Sequence, residues 1–303
     1  MALTAVVLSL LAAPALAGPG DKALDDVRIL SADDMQGRAP GTPGSEKARA
    51  YILSRFAQIG LSPVGERFEQ PFSYVKRDGS TVRGINLVAR IKGGAEGGRV
   101  IVVSAHYDHL GVHDGQIYNG ADDNASGVAG LLAVAEAFKQ QPPKHDVILA
   151  VVDAEEGGLR GAKAFVADPP VPLASIGLNV NFDMLSKNPN NELYAAGAAP
   201  FPSLKPILVK VAMTAPVTLK LGHDTDADGK QNNWTDQSDH YAFAEQGVPW
   251  VYFGVEDHPE YHKPSDDFAT VPQDFFKRSV ATVVQATLAL ERDLDDLAKA
   301  SGR

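Results

Sequence analysis

Three apolar runs in this sequence each lead into side chains able to bind a cation or move a proton. Residues 100–105 (VIVVSA) run into His106, Tyr107 and Asp108, residues 146–152 (DVILAVV) into Asp153, Ala154, Glu155 and Glu156, and residues 178–182 (LNVNF) into Asp183. Acids and an imidazole gathered at the ends of buried strands would repel and desolvate one another unless a positive charge sat among them. An ordinary charge at a strand end accounts for any one of these groups but not readily for three, so a shared cation site is the stronger reading. The chain has no cysteine. With thiolates excluded, imidazole plus carboxylate suits zinc, with manganese or cobalt as substitutes.

Spacing narrows the roles. In His106-x-Asp108 a carboxylate two residues on can fix the imidazole tautomer. Residues 120–127 (GADDNASG) put Asp122 and Asp123 in a glycine-flanked turn entering a helix, where capping would also employ an acid. Glu155 and Glu156, as neighbours on extended chain, point opposite ways, so one ligand and one general base is a natural division. Their adjacency disfavours a glycosidase pair, whose carboxyls must face each other across a sugar. Three other motifs fail. Residues 258–262 (HPEYH) misplace the glutamate of H-E-x-x-H, and Pro259 disrupts the helix that motif needs. Gly157-Gly158 lacks the remainder of a phosphate loop, and Ser126 lacks the first glycine of a nucleophile elbow.

Bringing strand ends together in this way calls for parallel strands lying side by side, because ligands in open α/β sheets bind just beyond the carboxyl ends. The alternation of apolar runs and amphipathic stretches predicts a single α/β domain, its twisted, mostly parallel mixed sheet carrying helices on both faces. Thr42-Pro43 opens a helix that Gly60 ends. A strand is expected at 85–91, a helix after Asn124 with Val128, Leu131, Leu132, Ala135 and Phe138 on one stripe, and a strand at 250–253. Further helices are expected near 203–213, 239–245 and 273–291. Residues 61–85 are too few for an inserted accessory domain.

With those residues assembled, the sequence resembles the co-catalytic zinc exopeptidases, a family that includes bacterial zinc aminopeptidases, glutamate carboxypeptidase II and glutaminyl cyclases. The resemblance runs from about Met35 to Asp267 through Gly37-Arg38, Gly41 to Gly44, SAHYDHLG, NGADDNASG, DAEEGGLRGAKAF, NFDM, SDHYAF and PEYHKPSDD, in the family's order. It implies a zinc exopeptidase fold and two zinc ions per chain. One would be held by His106 and Asp183 and the other by Glu156 and His262, with Asp123 bridging and Glu155 as general base. A cis peptide after the bridging acid, here Asp123-Asn124, would accompany them. Tyr261 matches a tyrosine that hydrogen-bonds the tetrahedral intermediate in some members, with a packing aromatic as an equal alternative. Ser238 and Asp239 match supporting residues near the site. The activity implied is hydrolysis of residues from peptides with a free N-terminus. The rivals are a single-zinc glutaminyl cyclase, a carboxypeptidase of the same fold and, last, a non-catalytic binding relative.

The rest of the sequence bounds the setting. A formal net charge of -10 and the lack of any basic run argue against nucleic acid. Residues 1–17, nearly all small or apolar and ending in Ala15-Leu16-Ala17, read as a signal peptide, too short for a comfortable membrane span. The mature catalytic domain is then 18–303, exported to a periplasmic or extracellular space, although no Lys or Arg precedes the apolar stretch. Asp224, Asp226 and Asp228 match the first half of an EF-hand calcium loop, but Thr235 stands where its glutamate belongs. A solvated acidic loop is therefore preferred there over Ca²⁺.

Overall fold

The computed structural model describes residues 19–95 and 98–303, so the leader expected at 1–17 lies outside the described residues. In chain order the strands are β1 (Ser62–Pro63), β2 (Glu69–Val75), β3 (Thr81–Ile91), β4 (Val100–His106), β5 (Gly111–His113), β6 (Gln116–Tyr118), β7 (Asp146–Val152), β8 (Ile176–Phe182), β9 (Glu192–Ala196), β10 (Thr218–Leu221) and β11 (Trp250–Gly254). The α-helices are α1 (Pro19–Leu30), α2 (Pro43–Ile59), α3 (Gly127–Gln140), α4 (Arg160–Ala167), α5 (Lys205–Ala212), α6 (His240–Ala244), α7 (Gln273–Arg292) and α8 (Leu294–Ala300).

The main sheet runs β1-β3-β7-β4-β8-β11-β9-β10, with β2 also paired to β3. Its centre, β7-β4-β8-β11, is parallel, while β3 and β9 join it antiparallel. The continuous apolar runs are the strands buried on both faces, as such a centre requires. Alternate residues feed two cores. Ile101, Val103, Val147 and Leu149 face α1, α2, α3 and α7, whereas Val100, Val102, Ile148 and Ala150 face α4 and α6.

The expected elements are present, most within a few residues. Thr42 caps α2 by accepting from the Ser45 amide, and Gly60 closes it in the left-handed region. Helices α1, α4 and α8 and strands β1, β2, β5, β6, β9 and β10 go beyond the elements the sequence predicts. Their sequences are short or polar on one side, so periodicity says little about them.

Arg38 ties the fold to the site. Gln36, Gly37 and Arg38 all have positive φ, and a Cβ on Gly37 would lie 2.3 Å from the Tyr118 carbonyl oxygen. That tight turn drives the Arg38 side chain to complete burial. There it donates to the carbonyls of Tyr107, Leu30, Asn119 and Gly120 at 2.6–2.9 Å, joining α1 to the two loops that carry His106 and Asp123. Burial lowers its pKa to about 10, against the upward pull of Asp123, Asp108, Asp266 and Glu156, so it remains a cation at neutral pH. Arg38→Ala should reduce unfolding free energy by ~3–5 kcal/mol, because these buried carbonyls lose their charged donor. Denaturant unfolding checks this, and a loss below ~1 kcal/mol would contradict the role.

Candidate metal centre

The centre forms where β7, β4 and β8 end side by side. His106 is the last residue of β4, Asp183 follows β8 directly, and Glu155 and Glu156 lie just past β7. Asp123 comes from the turn before α3 and His262 from the loop after β11. The turn at Asp123 is held from behind. Asp266 accepts the backbone N–H groups of Asp122 and Asp123 at 3.0–3.1 Å and is itself paired with buried Lys187 at 2.8 Å. The Asp123-Asn124 peptide is cis, as the resemblance implied.

These residues converge in two triads that share one carboxylate. His106 Nε2 lies 3.4 Å from Asp123 Oδ1 and 3.3 Å from Asp183 Oδ1. His262 Nε2 lies 3.1 Å from Asp123 Oδ2 and 3.2 Å from Glu156 Oε2. Tetrahedral zinc with ligand bonds of ~2.0–2.2 Å sets ligand atoms ~3.3–3.5 Å apart. The donor set therefore fits zinc, with one oxygen of Asp123 turned toward each histidine.

The supporting residues depart in detail from expectation. His106 Nδ1 meets the backbone carbonyl of Asp108 at 3.2 Å, with the carboxylate farther off at 3.6 Å. The Asp108 carboxylate instead accepts the amides of Glu155 and Glu156, which fixes the turn carrying both. That turn includes Ala154 at φ 59°, so Glu155 and Glu156 diverge through a turn and not through strand alternation. Ser238 Oγ donates to Asp183 Oδ2 at 2.7 Å and accepts from Asn181, which in turn accepts from Ser104. Asp239 is wholly buried with neither carboxylate oxygen hydrogen-bonded among the described residues. Tyr261 stacks on His262 at 3.9 Å and borders the same cleft as Glu155 and Asp183.

Asp224 accepts the amides of Gly197 and Ala199, and Asp226 accepts from Asn233.

Residues 86–287 match the profile of peptidase family M28. The chain belongs to peptidase family M28. It is 30% identical over 161 residues to the alkaline phosphatase isozyme conversion protein of Escherichia coli, across 48% of this chain and 45% of that protein. The chain spans about half the length of the curated relatives it matches. Among solved structures, a glutaminyl cyclase of Porphyromonas gingivalis superposes with a TM-score of 0.73 at 18% identity, over 88% of this chain and 97% of that one. A zinc aminopeptidase of Bacillus subtilis does so with 0.73 at 16%, over 88% and 94%. At such identities the likeness shows the fold alone, and the family rests on the profile match. No helix among the described residues is long and apolar enough to cross a membrane.

The electrostatics of this M28 site follow from its crowding. Burial, with Glu156 and Asp183 nearby, pushes Asp123 up to about 6 despite His109 and His262. Burial likewise raises Asp239 to about 8. Burial opposes the charge on His262, yet Asp123 and Glu156 raise it to about 10. Burial works against Glu156 too, but the imidazoles of His109 and His262 hold it below the ordinary carboxylate range. His109, Asp266, Lys187 and Arg38 were missed as site-forming residues, or in the case of Arg38 seen only as part of a motif. A second histidine in HYDHLG and the acid pair ending PEYHKPSDD were the available signals.

The pH dependence of the metal-free protein follows by linkage. Asp123, Asp239 and His262 all bind protons more tightly folded than unfolded, so each withdraws stability as pH rises towards about 6, about 8 and about 10 respectively. Glu156 acts in the opposite sense but only below its ordinary value of 4.5. The zinc-stripped chain should therefore melt at progressively lower temperature between about pH 5 and 9, and zinc should flatten that slope, because its ligands bind it deprotonated. Thermal melts in chelator and in zinc check this. A metal-free melting temperature that climbs over that range would contradict it.

Proposed function

We propose that this M28 metallopeptidase is an exported two-zinc exopeptidase that removes residues from the free N-terminus of peptides. The observation that carries the reading is the Asp123 carboxylate, whose oxygens lie 3.4 Å from His106 and 3.1 Å from His262. Each subsite so defined has one histidine, one private carboxylate and a share of Asp123, which leaves room for water or substrate. Export rests on the leader-like residues 1–17.

Bound zinc ions supply Lewis-acid polarisation and acidify water. Glu155 stands beside the ligands and borders the cleft with Asp123 and Asp183. Burial, together with Asp239, Asp183 and Glu156, raises its pKa well above the carboxylate range against the pull of His106. It is thereby suited to take the proton of the attacking water and return it to the leaving amine. Tyr261 is kept protonated by burial and by Asp123, Asp183 and Glu156, so it can donate to the developing oxyanion. The cleft is walled by Trp234, Tyr252 and Tyr261 and carries Asp257, a setting that favours a chain terminus bearing an ammonium group.

One observation favours a second reading. Lys76, Arg77, Arg160 and Lys163 border a cleft of about 750 Å³ that begins at Glu156. Such a basic groove suits an acidic C-terminal residue, as a carboxypeptidase would need. Aminoacyl, C-terminal glutamyl and N-terminal glutaminyl peptides, assayed side by side, separate the readings. Glu155→Gln should retain two zinc ions while losing ~10²–10⁴-fold in turnover of the aminoacyl substrate. Turnover near that of the unaltered protein would sink the base assignment, and turnover of the C-terminal substrate alone would favour the second reading.

A further inference from the structure

The turn at Ala154 sends Glu155 and Glu156 to two different clefts. Glu155 borders the aromatic cleft of Trp234, Tyr252 and Tyr261, whereas Glu156 borders the basic groove of about 750 Å³. The metal centre therefore lies where the two meet, and a peptide held across it passes from one into the other. A groove of this size falls within the ~300–1,000 Å³ of ordinary ligand clefts.

Its walls come from separate elements. One is the β2–β3 hairpin, with Tyr74, Lys76 and Arg77, and the other is the turn after Glu156 and the start of α4, with Arg160 and Lys163. The turn itself arranges the cations of the second wall. Arg160 Nε donates to the Gly157 carbonyl at 2.9 Å and Lys163 Nζ to the Gly158 carbonyl at 3.2 Å. The Arg160 guanidinium also lies 5.8 Å from the centre of the Tyr74 ring, which ties the two walls by a cation–π contact.

The chain has a formal net charge of -10, yet among the described residues Lys76, Arg77, Arg160 and Lys163 have no acidic side chain within ion-pair distance. Asp78, at the hairpin tip, accepts the amide and hydroxyl of Ser80 at 2.9 and 2.6 Å, which turns it onto its own hairpin. Glu156, the other acid there, is engaged by His262 at 3.2 Å. Four cations without a counter-charge in an acidic protein favour an anion supplied by the substrate.

We propose that this groove receives the peptide beyond the scissile bond and selects an acidic side chain at the second or third residue of the substrate. Lys76, Arg77, Arg160 and Lys163 are then its specificity-determining residues. The assignment deepens the N-terminal exopeptidase reading and rests on it: with the first residue in the aromatic cleft, the leaving chain extends past Glu156. A carboxypeptidase would place a chain end in the same groove. Here the anion is a side chain, so a peptide with a blocked C-terminus still qualifies.

The test uses the zinc-loaded protein and C-terminally amidated, alanine-rich peptides that begin with the residue the aminoacyl panel favours. Glu, Gln or Lys stands second or third, and release of the N-terminal residue is followed at low salt and at ~0.5 M salt. At low salt kcat/KM should favour Glu over Gln by ~5–10-fold, carried mainly by KM, and Lys should be poorest. The preference should shrink at ~0.5 M salt, where exposed charges are screened. It should fall in Lys76→Gln/Arg77→Gln and in Arg160→Gln/Lys163→Gln, and vanish when all four are changed. Because the ratio is taken within one protein, a general loss of activity cancels. Equal cleavage of the Glu and Gln peptides by the unaltered protein, or a preference that survives the fourfold change, would overturn the assignment. Release of glutamate from the free C-terminus of matched peptides, with the amidated ones untouched, would instead overturn the N-terminal reading and this assignment with it.

Discussion

Asp123 has to present its two oxygens to two different imidazoles while buried among other acids, and much of the molecule is arranged around that demand. Its backbone N–H and that of Asp122 are taken by Asp266, whose charge is balanced by Lys187. Ser126, a turn later, donates to Asp122 and accepts the amide of Leu185, while Asn124 donates to the Phe182 carbonyl next to Asp183. The turn that carries the bridge is thus bound to the end of β8, which carries a ligand of its own. A displacement at one subsite is felt at the other through a single side chain.

The second constraint is charge. Asp108, Asp122, Asp123, Asp153, Asp183, Asp239 and Asp266 are all buried. So many carboxylates coexist only if each is hydrogen-bonded, protonated or neutralised by a cation. The chain uses all three means. Asp108 and Asp266 accept backbone amides, burial raises Asp153 and Asp239 to about 7 and about 8, and Arg38 and Lys187 lend positive charge from behind. The remaining deficit falls at Asp123, Glu156 and Asp183, where a divalent ion would sit.

What could be read in the sequence divides along physical lines. Strands buried on both faces announce themselves as unbroken apolar runs, and their acidic or histidine ends bring His106, Glu156 and Asp183 to one edge of the sheet, with His106 3.3 Å from Asp183. The choice of Asp123 over Asp122 and of His262 over His258 came from the resemblance. The structure brings Asp122 and His258 together instead, at 3.0 Å, as a pair beside the ligands. A two-residue spacing does not say whether carbonyl or carboxylate faces the ring, and both groups of Asp108 lie near His106 Nδ1, the carbonyl at 3.2 Å and the carboxylate at 3.6 Å. His109 escaped notice because it lies one residue beyond a motif already assigned, and its approach depends on Gly120 across the fold.

The proposed two-ion centre depends most on the one carboxylate of Asp123, and zinc stoichiometry in Asp123→Ala probes that directly. Elemental analysis of the folded variant, dialysed beside the unaltered protein, should find two zinc ions falling to well under one. Retention of one full equivalent at undiminished affinity would mean that the subsites are independent and that Asp123 does not bridge them.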